Sequence, residues 1–351
     1  MKKILLVSKD QFGYLIDTYK YCEYLKDVYD ISLICLDWKK PKIELEGINV
    51  KYIEMKKGKV IKFLYFAYCT IKDILLEKYD FIFCVYFRFC CFLTLFIPQS
   101  KIILDIRTGS VSKNIFKRII SNIELKINSI FFRRITIISE SLANNLKIRK
   151  YEILPLGADR IVSTRKQFKG LKILYIGTFD NRRLEDTIIG YKMFVDKYGN
   201  EVESKYTIIG SGTNSEEEKL KKIVKDFNLD GKIFFLGYIK NTELSEYLAE
   251  HNIGISYVPI TNYYNCQPPT KTYEYLMNGL ICLATKTYEN KKIISDKNGI
   301  LIDDNPENFF KGLESIYFNL KSYDSDEIIC SVQNFNWENI SNCLVSYINR
   351  E

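Results

Sequence analysis

The strongest constraint on the fold is a series of short apolar runs that ends near residue 140 and starts again near residue 170. The runs of the first series are KILLVS, ISLICL, VKYIEM, DFIFCVYF, KIILDI and ITIIS. Those of the second series are LKILYIG, YTIIGSG, KIFFLGY, IGISYVP, LICLAT and GILID. Helix-like segments separate most of them, a pattern typical of parallel α/β sheets. The sequence predicts two successive Rossmann-like domains, residues 1–165 and 166–330.

A different pattern follows the second series. The tail NFNWENISNCLVSYINRE contains no further strand-like run, and its apolar residues have helical spacing: Trp337, Ile340, Leu344 and Ile348. Residues 331–351 are therefore predicted to be a C-terminal helix.

Composition narrows the class of protein. With 47% apolar residues, the chain can bury large cores. The richest apolar window, residues 81–98, is interrupted by Arg88 and ended by Pro98, so a buried strand followed by a helix is favoured over a membrane span. The ten cysteines lack CxxC or Cys/His spacing and are interpreted as reduced core residues, which favours a cytoplasmic location. The single histidine, His251, is interpreted as a structural helix-end residue, and this disfavours Ser/His/Asp and multi-histidine metal chemistry.

Charge is distributed unevenly along the chain. Residues 1–165 carry 29 Lys and Arg against 17 Asp and Glu, a net of +12, while the remainder carries 22 against 26, a net of −4. A basic half could meet nucleic acid, anionic lipid or a phosphorylated substrate. No helix-turn-helix, zinc-finger or RNA-recognition pattern is present, so a nucleic-acid partner is disfavoured.

Ligands of parallel sheets bind at the carboxyl ends of the strands, and four turns of the second half stand out there. One carries Gly177 followed by Arg182 and Arg183, one carries Gly210 and Gly212, and one carries Gly237 followed by Tyr238. The fourth is YVPITNYYNCQPPTKTYEYLMNG, which contains Glu274. Taken singly, such glycines are usually plain turns and an arginine pair is usually a solvated face. Their order and spacing together indicate a binding edge.

These segments carry a resemblance. ILYIG, IIGSG, FLGYI and PTKTYEYLMNG, in this order, resemble the donor domain of a GT-B glycosyltransferase of family four, a group of retaining enzymes that use nucleotide sugars. ILPLGAD resembles the link between the two domains of that family, and FNWENI resembles its closing segment. The resemblance implies two Rossmann-like domains facing a central cleft, an acceptor domain followed by a donor domain, with the C-terminal helix packing on the first.

The family's Glu-x7-Glu motif gives Glu274 a role. Its second acid accepts hydrogen bonds from the ribose hydroxyls of the nucleotide, and Glu274 stands in that position at the start of a helix. Cys266 replaces the first acid, and Pro268 and Pro269 remove two backbone donors from the loop that precedes the helix. Thr270, Lys271 and the helix N-terminus would then supply the remaining donor contacts. The alternative is that Glu274 is only a first-turn acid favoured by the helix dipole.

The resemblance implies further donor-site residues. A basic pair neutralises the leaving diphosphate, and Arg182 and Arg183 match its spacing, while Thr178 stands where some relatives have another arginine. The remaining donor-binding candidates lie in turns that follow strands: Gly13, Gly177, Gly210, Gly212, Tyr238 and Ile239. The donor-site segments contain no Asp-x-Asp motif that would suggest a metal, so neither a metal nor a cofactor is expected, and the nucleotide sugar is a substrate.

In the first half, Asp105 and Arg107 follow a strand in a region where several relatives carry a catalytic histidine or acid. Both are predicted catalytic residues, with Asp105 as a positioning group. Retaining transfer is usually drawn with the leaving phosphate deprotonating the acceptor hydroxyl, so no strong protein base is required.

The sequence thus predicts a glycosyltransferase that acts on a glycan or lipid-linked acceptor in bacterial surface polysaccharide assembly, such as capsule or lipopolysaccharide. A nucleotide-sugar-binding subunit without activity and a GT-B epimerase are the alternatives. The basic run at residues 112–134 predicts peripheral contact with an anionic inner membrane surface. A solvated basic face beside a core stripe is the alternative interpretation of that run.

Overall fold

Both series of apolar runs form parallel sheets in the computed structural model, which describes residues 1–350. Each of the twelve predicted runs contains a strand, and one short strand, β7, adds to them. The strands are β1 Lys3–Ser8, β2 Asp30–Asp37, β3 Ile48–Glu54, β4 Phe81–Val85, β5 Ile102–Ile106, β6 Ile135–Ile137, β7 Glu152–Ile153, β8 Leu171–Ile176, β9 Ser204–Ile209, β10 Ile233–Gly237, β11 Ile253–Ser256, β12 Ile281–Thr285 and β13 Gly299–Ile302.

Helices alternate with most of the strands. The α-helices are α1 Ile16–Leu25, α2 Lys59–Leu76, α3 Ile115–Ile130, α4 Glu140–Leu146, α5 Leu184–Tyr198, α6 Asn214–Asp226, α7 Leu244–Glu250, α8 Thr270–Met277, α9 Asn290–Ile293, α10 Pro306–Phe318, α11 Ser325–Cys330 and α12 Trp337–Asn349. The apolar window at residues 81–98 forms the buried strand β4 and a short 3₁₀ helix, Cys90–Leu95. Among the described residues, no helix is both long and apolar enough to cross a bilayer.

The two sheets repeat one topology. The first has the order β3-β2-β1-β4-β5-β6-β7 and the second β10-β9-β8-β11-β12-β13, and every pairing within them is parallel. In each sheet the third strand along the chain starts the row and the first lies inside it, which is the doubly wound order. The predicted α/β class with two Rossmann-like sheets is confirmed.

The chain divides into two units. The first comprises Met1–Leu156 together with the segment from Trp337 onward, and the second comprises Gly157–Asn336. The sequence pattern set the corresponding limits after residues 165 and 330.

Helix α12 belongs to the first unit because its apolar side completes that unit's core. Trp337 is only 2% exposed and meets the ring of Tyr21 edge-on, with centroids 5.8 Å apart. Ile340, Leu344 and Ile348 are buried in the same cluster as the inward residues of β1, β2 and β4. The helical spacing of these four residues therefore reports a packed face, and the predicted C-terminal helix crossing back to the first domain is confirmed.

The cysteines agree with a reduced core. All ten are free, and six of them are buried: Cys22, Cys35, Cys84, Cys90, Cys266 and Cys282. His251, the C-cap residue of α7, is buried with one ring nitrogen 2.7 Å from the carbonyl of Tyr247 and the other 2.8 Å from Oγ1 of Thr207. Burial lowers its pKa, as expected of a neutral structural histidine.

The interpretation of residues 112–134 as a core stripe beside a basic face is wrong. In α3 the buried residues are Leu125, Asn128 and Ser129, whereas most of its isoleucines and Phe116 are exposed. Periodicity revealed an apolar side but not the direction in which it points.

Candidate functional site

Three turns at the carboxyl edge of the second sheet are joined by backbone hydrogen bonds. The amide of Gly177, after β8, donates to the carbonyl of Ile209 at 3.0 Å, and that of Gly210, after β9, donates to the carbonyl of Gly237 at 2.8 Å. The amide of Phe179 donates to the carbonyl of Ser211 at 3.1 Å. The predicted glycines Gly177 and Gly210 therefore lie in one connected edge.

Close approach of these turns requires glycine at position 210. Its φ is +141°, and a Cβ atom there would lie 1.8 Å from the carbonyl oxygen of Gly177. A Cβ at Gly212 would come within 2.9 Å of Cβ of Phe179. Packing of one turn on another thus explains both glycines, and their contact with a donor stays a prediction.

The arginine pair separates into two different environments. Arg183 pairs with Asp186 at 2.8 Å and with Asp304 at 3.2 Å. Arg182 forms no ion pair with a carboxylate in the described part of the chain, and its guanidinium lies 4.6 Å from the ring centroid of Tyr264. Arg182 is therefore the member of the pair whose charge remains available to an anion.

Helix α8 is fixed to the second sheet by its inward side chains. The Tyr275 hydroxyl accepts a hydrogen bond from the amide of Ile176 at 2.8 Å, and its ring lies where a Cβ on Gly254 would be. The Thr272 hydroxyl donates to Oδ1 of Asn290 at 2.8 Å and lies 2.7 Å from the Ser256 hydroxyl. These contacts determine which side of α8 faces away from the sheet.

Lys271 and Glu274 occupy that other side. Between positions 271 and 277 of α8 they are the two residues that are not buried, with side chains 25% and 26% exposed, and they form an ion pair. Glu274 is the fifth residue of the helix, so it lies in the second turn, and the first turn contains no acid. The sequence interpretation of Glu274 as a first-turn acid stabilised by the helix dipole is therefore wrong, because that effect fades within the first turn.

The loop that leads into α8 contains the two departures from the family motif. The Cys266 thiol is buried and donates to the carbonyl of Asn262, and burial raises its pKa. Pro269 is the N-cap residue of α8, and its side chain cannot cap the helix. The amide of Thr272 donates to the carbonyl of Pro269 at 3.1 Å, which leaves the amides of Thr270 and Lys271 for water or a ligand.

The other predicted donor residues lie near the surface of their units. Thr178 is exposed, and its carbonyl accepts a hydrogen bond from the Tyr175 hydroxyl at 2.7 Å. Tyr238 is exposed and Ile239 is half-buried, directly after Gly237 at φ +70°. In the first unit, Gly13 has φ +84°, and a Cβ there would lie 2.4 Å from Cδ1 of Ile43.

Asp105 and Arg107 form a buried network rather than an open acid and base. Asp105 is 0% exposed, and its Oδ1 accepts a hydrogen bond from the Thr136 hydroxyl at 2.7 Å. Its Oδ2 lies 3.8 Å from Nε of Arg107 and has no hydrogen-bond partner. Arg107 pairs with Asp17 of α1 and donates to the carbonyl of Leu154 at 2.7 Å. In this arrangement Asp105 does not reach the surface, and Arg107 is the cation beside it.

The network shifts two pKa values. Burial raises the pKa of Asp105 to about 6, against the attraction of Arg107 and the hydrogen bond from Thr136. Burial acts to lower the pKa of Arg107, but the attraction of Asp17, together with Tyr21 and Asp105, leaves it above its ordinary value. Arg107 thus remains a cation, while Asp105 titrates in the mildly acidic range.

We expect the Asp105 carboxyl to make folding stability depend on pH. Its ordinary pKa is 3.8 and its folded pKa is about 6, so the folded state binds its proton more tightly. This contribution is present when the carboxyl is protonated and is lost as pH rises from about 4 to about 6, an effect on the order of 2 kcal/mol. Urea unfolding of the wild type and of Asp105→Asn at pH 4 and pH 7 measures it. The wild type should lose stability relative to the variant at the higher pH, and a constant difference would contradict the assignment.

Several partners of the site residues were not predicted from the sequence. Asp17 is ninety residues from Arg107, and Asp304 is 121 residues from Arg183. Tyr264, beneath Arg182, lies in a loop with two adjacent tyrosines that gave no sign of their different contacts. Asp304 is one of two adjacent aspartates that directly follow β13, and nothing local marks it as a partner of Arg183.

Known proteins resemble this chain in two respects: a family model matches the sequence of the second unit, and solved structures match the fold. Residues 170–319 match the family model described as glycosyl transferases group 1. A search of curated protein sequences returned no significant match.

Solved structures align over essentially the whole chain. Sucrose-phosphate synthase from Thermosynechococcus elongatus is 15% identical with a TM-score of 0.76, and the alignment covers 99% of this chain and 98% of that one. Anabaena Alr3699/HepE in complex with UDP and glucose is 10% identical with a TM-score of 0.76, and both chains are covered completely, at 100%. The lipopolysaccharide outer core galactosyltransferase WaaB is 12% identical with a TM-score of 0.71, and 99% of each chain is covered.

At these identities the structural likeness establishes the fold alone, and it confirms the expected GT-B fold. The match of residues 170–319 to the glycosyl transferases group 1 model gives evidence of the activity, which the fold alone does not. A glycosyl transferases group 1 domain within a GT-B fold identifies the protein as a glycosyltransferase.

Proposed function

We propose that the protein transfers a sugar, with retention of configuration and without a metal ion, from a nucleotide-sugar donor to a hydroxyl of a glycan or lipid-linked acceptor. The observation that carries the proposal is the outward side of α8. There Glu274 and Lys271 are accessible on a helix whose other residues from 271 to 277 are buried against the second unit. A buried helix that keeps one acid and one base accessible next to a glycine-rich sheet edge is suited to a polar ligand.

The chemistry of a nucleotide sugar matches these groups. A carboxylate only accepts hydrogen bonds, so Glu274 can receive both hydroxyl protons of a ribose. Lys271 and the uncapped start of α8 offer positive charge and amide donors to the diphosphate. Structures of Anabaena Alr3699/HepE are described as complexes with UDP and with UDP-glucose, which supports a nucleotide-bound donor for this chain as well.

Departure of the diphosphate develops negative charge on its β-phosphate oxygens. Arg182, which has no carboxylate partner in the described chain, is the group proposed to stabilise that charge. With a cation supplied by the protein and the leaving phosphate taking the acceptor's proton, the transfer needs neither a metal ion nor a strong base. No cofactor takes part in this scheme.

The proposal also covers the acceptor and the location of the enzyme. The basic first half favours an acceptor near an anionic surface, and we assign the enzyme to the cytoplasm, peripheral to the inner face of a bacterial cell membrane, in the assembly of capsule or lipopolysaccharide. Nucleic acid is not among the proposed partners.

The direct test is donor hydrolysis with a panel of nucleotide sugars, in the presence and absence of EDTA. Release of nucleoside diphosphate that is insensitive to EDTA supports the proposal, and NMR of the transferred sugar reports whether its configuration is retained. Tight donor binding with no release in the presence of candidate acceptors would instead support a nucleotide-sugar-binding subunit. Conversion of the donor into an isomeric sugar nucleotide would support a GT-B epimerase.

The two arginines should behave differently when replaced by alanine. We expect Arg182→Ala to lower kcat roughly tenfold with little effect on the melting temperature, because its charge is partly screened by water and pairs with no carboxylate. Arg183→Ala should mainly cost stability, up to about 1 kcal/mol, because it removes partly exposed ion pairs to Asp186 and Asp304. Steady-state kinetics and thermal unfolding of both variants measure this. Equal loss of turnover in both would contradict the distinction.

A further inference from the structure

Exposed apolar side chains are concentrated on one part of the first unit. Of the 30 large apolar side chains exposed among the described residues, 18 lie between residues 60 and 131, about a fifth of the chain. They belong to α2, to the 3₁₀ helix Cys90–Leu95 and its C-terminal flank, and to α3 with its flanking residues. Scattered exposed residues need no explanation, but this concentration does.

These elements share one face of the first sheet. The connections from β3 to β4, from β4 to β5 and from β5 to β6 all run in the same direction along the strand order, opposite to those from β1 to β2 and from β2 to β3. Right-handed crossovers therefore carry α2, the 3₁₀ helix and α3 over the face opposite α1. The 3₁₀ helix packs against both α2 and α3, so the apolar surface is continuous.

Helix α3 has the opposite orientation to an ordinary core helix, because most of its apolar side chains are exposed. It turns Asn128 and Ser129 toward the protein, where Asn128 accepts a hydrogen bond from the amide of Cys91 at 3.3 Å. Phe116, at 74% exposure, heads an outward row that continues with Ile119, Ile120, Ile123, Ile127 and Ile130. At a rise of 1.5 Å per residue, the row from Phe116 to Ile130 is about 21 Å long. Within residues 1–350, nothing covers most of this apolar surface.

A groove interrupts the apolar surface between α2 and the 3₁₀ helix. It has a volume of about 600 Å³, and its lining is apolar apart from Lys72: Leu64, Tyr68, Leu75, Phe92, Leu95 and Phe96 contribute most of it. A groove of this composition suits hydrocarbon rather than a polar ligand.

Positive charge borders the C-terminal end of α3. A pocket of about 720 Å³ between the ends of α3 and α4 has five cations in its lining: Lys126, Arg133, Lys147, Arg149 and Lys150. None of the five makes an ion pair with a carboxylate within residues 1–350, and no carboxylate is among the described residues that line the pocket. Two helix C-termini supply only about half a negative charge each, so most of this positive charge is unbalanced.

Backbone geometry also argues against a purely structural role for these lysines. Lys147 and Lys150 have φ values of +54° and +57°, in the left-handed region that favours glycine or asparagine. A turn that only had to close α4 would be more stable with one of those residues. Both lysines therefore add charge to the pocket at positions where the backbone alone would favour a smaller residue.

We propose that the apolar face of α2, the 3₁₀ helix and α3, together with the basic pocket, is a docking surface for an anionic phospholipid bilayer. The outward row of α3 enters the interfacial region, and the five cations meet headgroup phosphates. The complementarity of charge favours this occupant over a second copy of the chain, because two copies would bring two basic pockets near one another. This inference places the proposed membrane contact on a defined surface of the first unit. It rests on the proposed function only for the reason why the enzyme binds a membrane.

The docking surface is separate from the catalytic candidates of the first unit. Ile135, which lines the basic pocket, is the first residue of β6, so the pocket lies at the amino edge of the sheet. Asp105 and Arg107 lie at the carboxyl end of β5, at the opposite edge. Changes in the pocket should therefore leave donor hydrolysis intact, and this separates a failure of the docking proposal from a failure of the proposed function.

Vesicle flotation with the full chain tests the proposal. We expect vesicles of phosphatidylglycerol and phosphatidylcholine to bind the protein and vesicles of phosphatidylcholine alone to bind it weakly, with binding lost as salt rises. Lys147→Gln/Arg149→Gln/Lys150→Gln should lower the partition coefficient about a hundredfold, since each charge contributes roughly fivefold. Its matched control, Lys221→Gln/Lys222→Gln/Lys225→Gln, removes three exposed charges from α6 and should bind like the wild type.

A second variant tests the apolar row. Phe116→Ser/Ile120→Ser/Ile123→Ser replaces exposed side chains, so the melting temperature and donor hydrolysis should be retained while vesicle binding is lost. Equal binding to neutral and anionic vesicles, or binding by either variant at the wild-type level, would overturn the proposal. So would a wild-type dimer in analytical ultracentrifugation that this variant converts to monomer, because a second copy would then cover the surface.

Discussion

Glu274→Gln is expected to lower kcat/KM for the nucleotide-sugar donor by about 10- to 100-fold while the protein stays folded. The amide keeps the volume of the side chain but replaces one acceptor oxygen with a donor that faces the ribose hydroxyls. Hydrogen bonds to a charged group contribute about 1.5 to 3 kcal/mol, which corresponds to this range. Donor titration and steady-state kinetics measure the effect.

The fold should barely respond to that change. Glu274 is partly exposed, and its ion pair with Lys271, three residues earlier, contributes only about 0.3 to 0.5 kcal/mol. Because the residue lies in the second turn of α8, the helix dipole adds little. Glu23→Gln is a matched control, since Glu23 pairs with Lys20 at the same spacing on α1. A Glu274→Gln protein with normal donor kinetics and a much lower melting temperature would show that Glu274 has a structural role only.

Removal of residues 337–351 is expected to unfold the first unit or to lower its stability drastically. Trp337, Ile340, Leu344 and Ile348 are buried, and each such side chain contributes about 1.5 to 3 kcal/mol. Their sum, about 6 to 12 kcal/mol, is similar to the whole stability of an ordinary domain, about 5 to 15 kcal/mol. The truncated chain should also expose apolar surface, which a hydrophobic dye or hydrogen exchange in β1 and β2 would detect.

A point variant separates packing from the loss of chain. Trp337→Ala should destabilise the first unit by about 3 to 5 kcal/mol, because the side chain is nearly fully buried and fills space beside Tyr21. Glu338→Ala, on the exposed side of α12, should change the free energy of unfolding by about 0.5 kcal/mol or less. Similar melting of Trp337→Ala and the wild type would contradict the packing role.

Much of the architecture was determined by the sequence alone. Each predicted apolar run contains a strand, because runs of β-branched and aromatic residues bounded by turns report buried parallel strands directly. The spacing of Trp337, Ile340, Leu344 and Ile348 likewise predicted α12 and its buried side. The glycines after β8 and β9 were recognisable because their positions follow strands, and the close approach of their turns gives them a physical cause.

Only the tertiary structure determined which partners the site residues contact and which side of a helix is buried. Arg182 and Arg183 are neighbours of the same type, but Arg183 pairs with Asp186 and with the distant Asp304, whereas Arg182 lies over the ring of Tyr264. The apolar side of α3 has the periodicity of a core helix, but its neighbours bury Asn128 instead, since periodicity defines a side of a helix and not its direction. Asp105 was predicted as a positioning group, and the folded chain buries it in β5 beside Arg107, which pairs with Asp17 of α1. In each case the deciding interaction joins residues far apart in the chain, and their distance is set by packing rather than by sequence spacing.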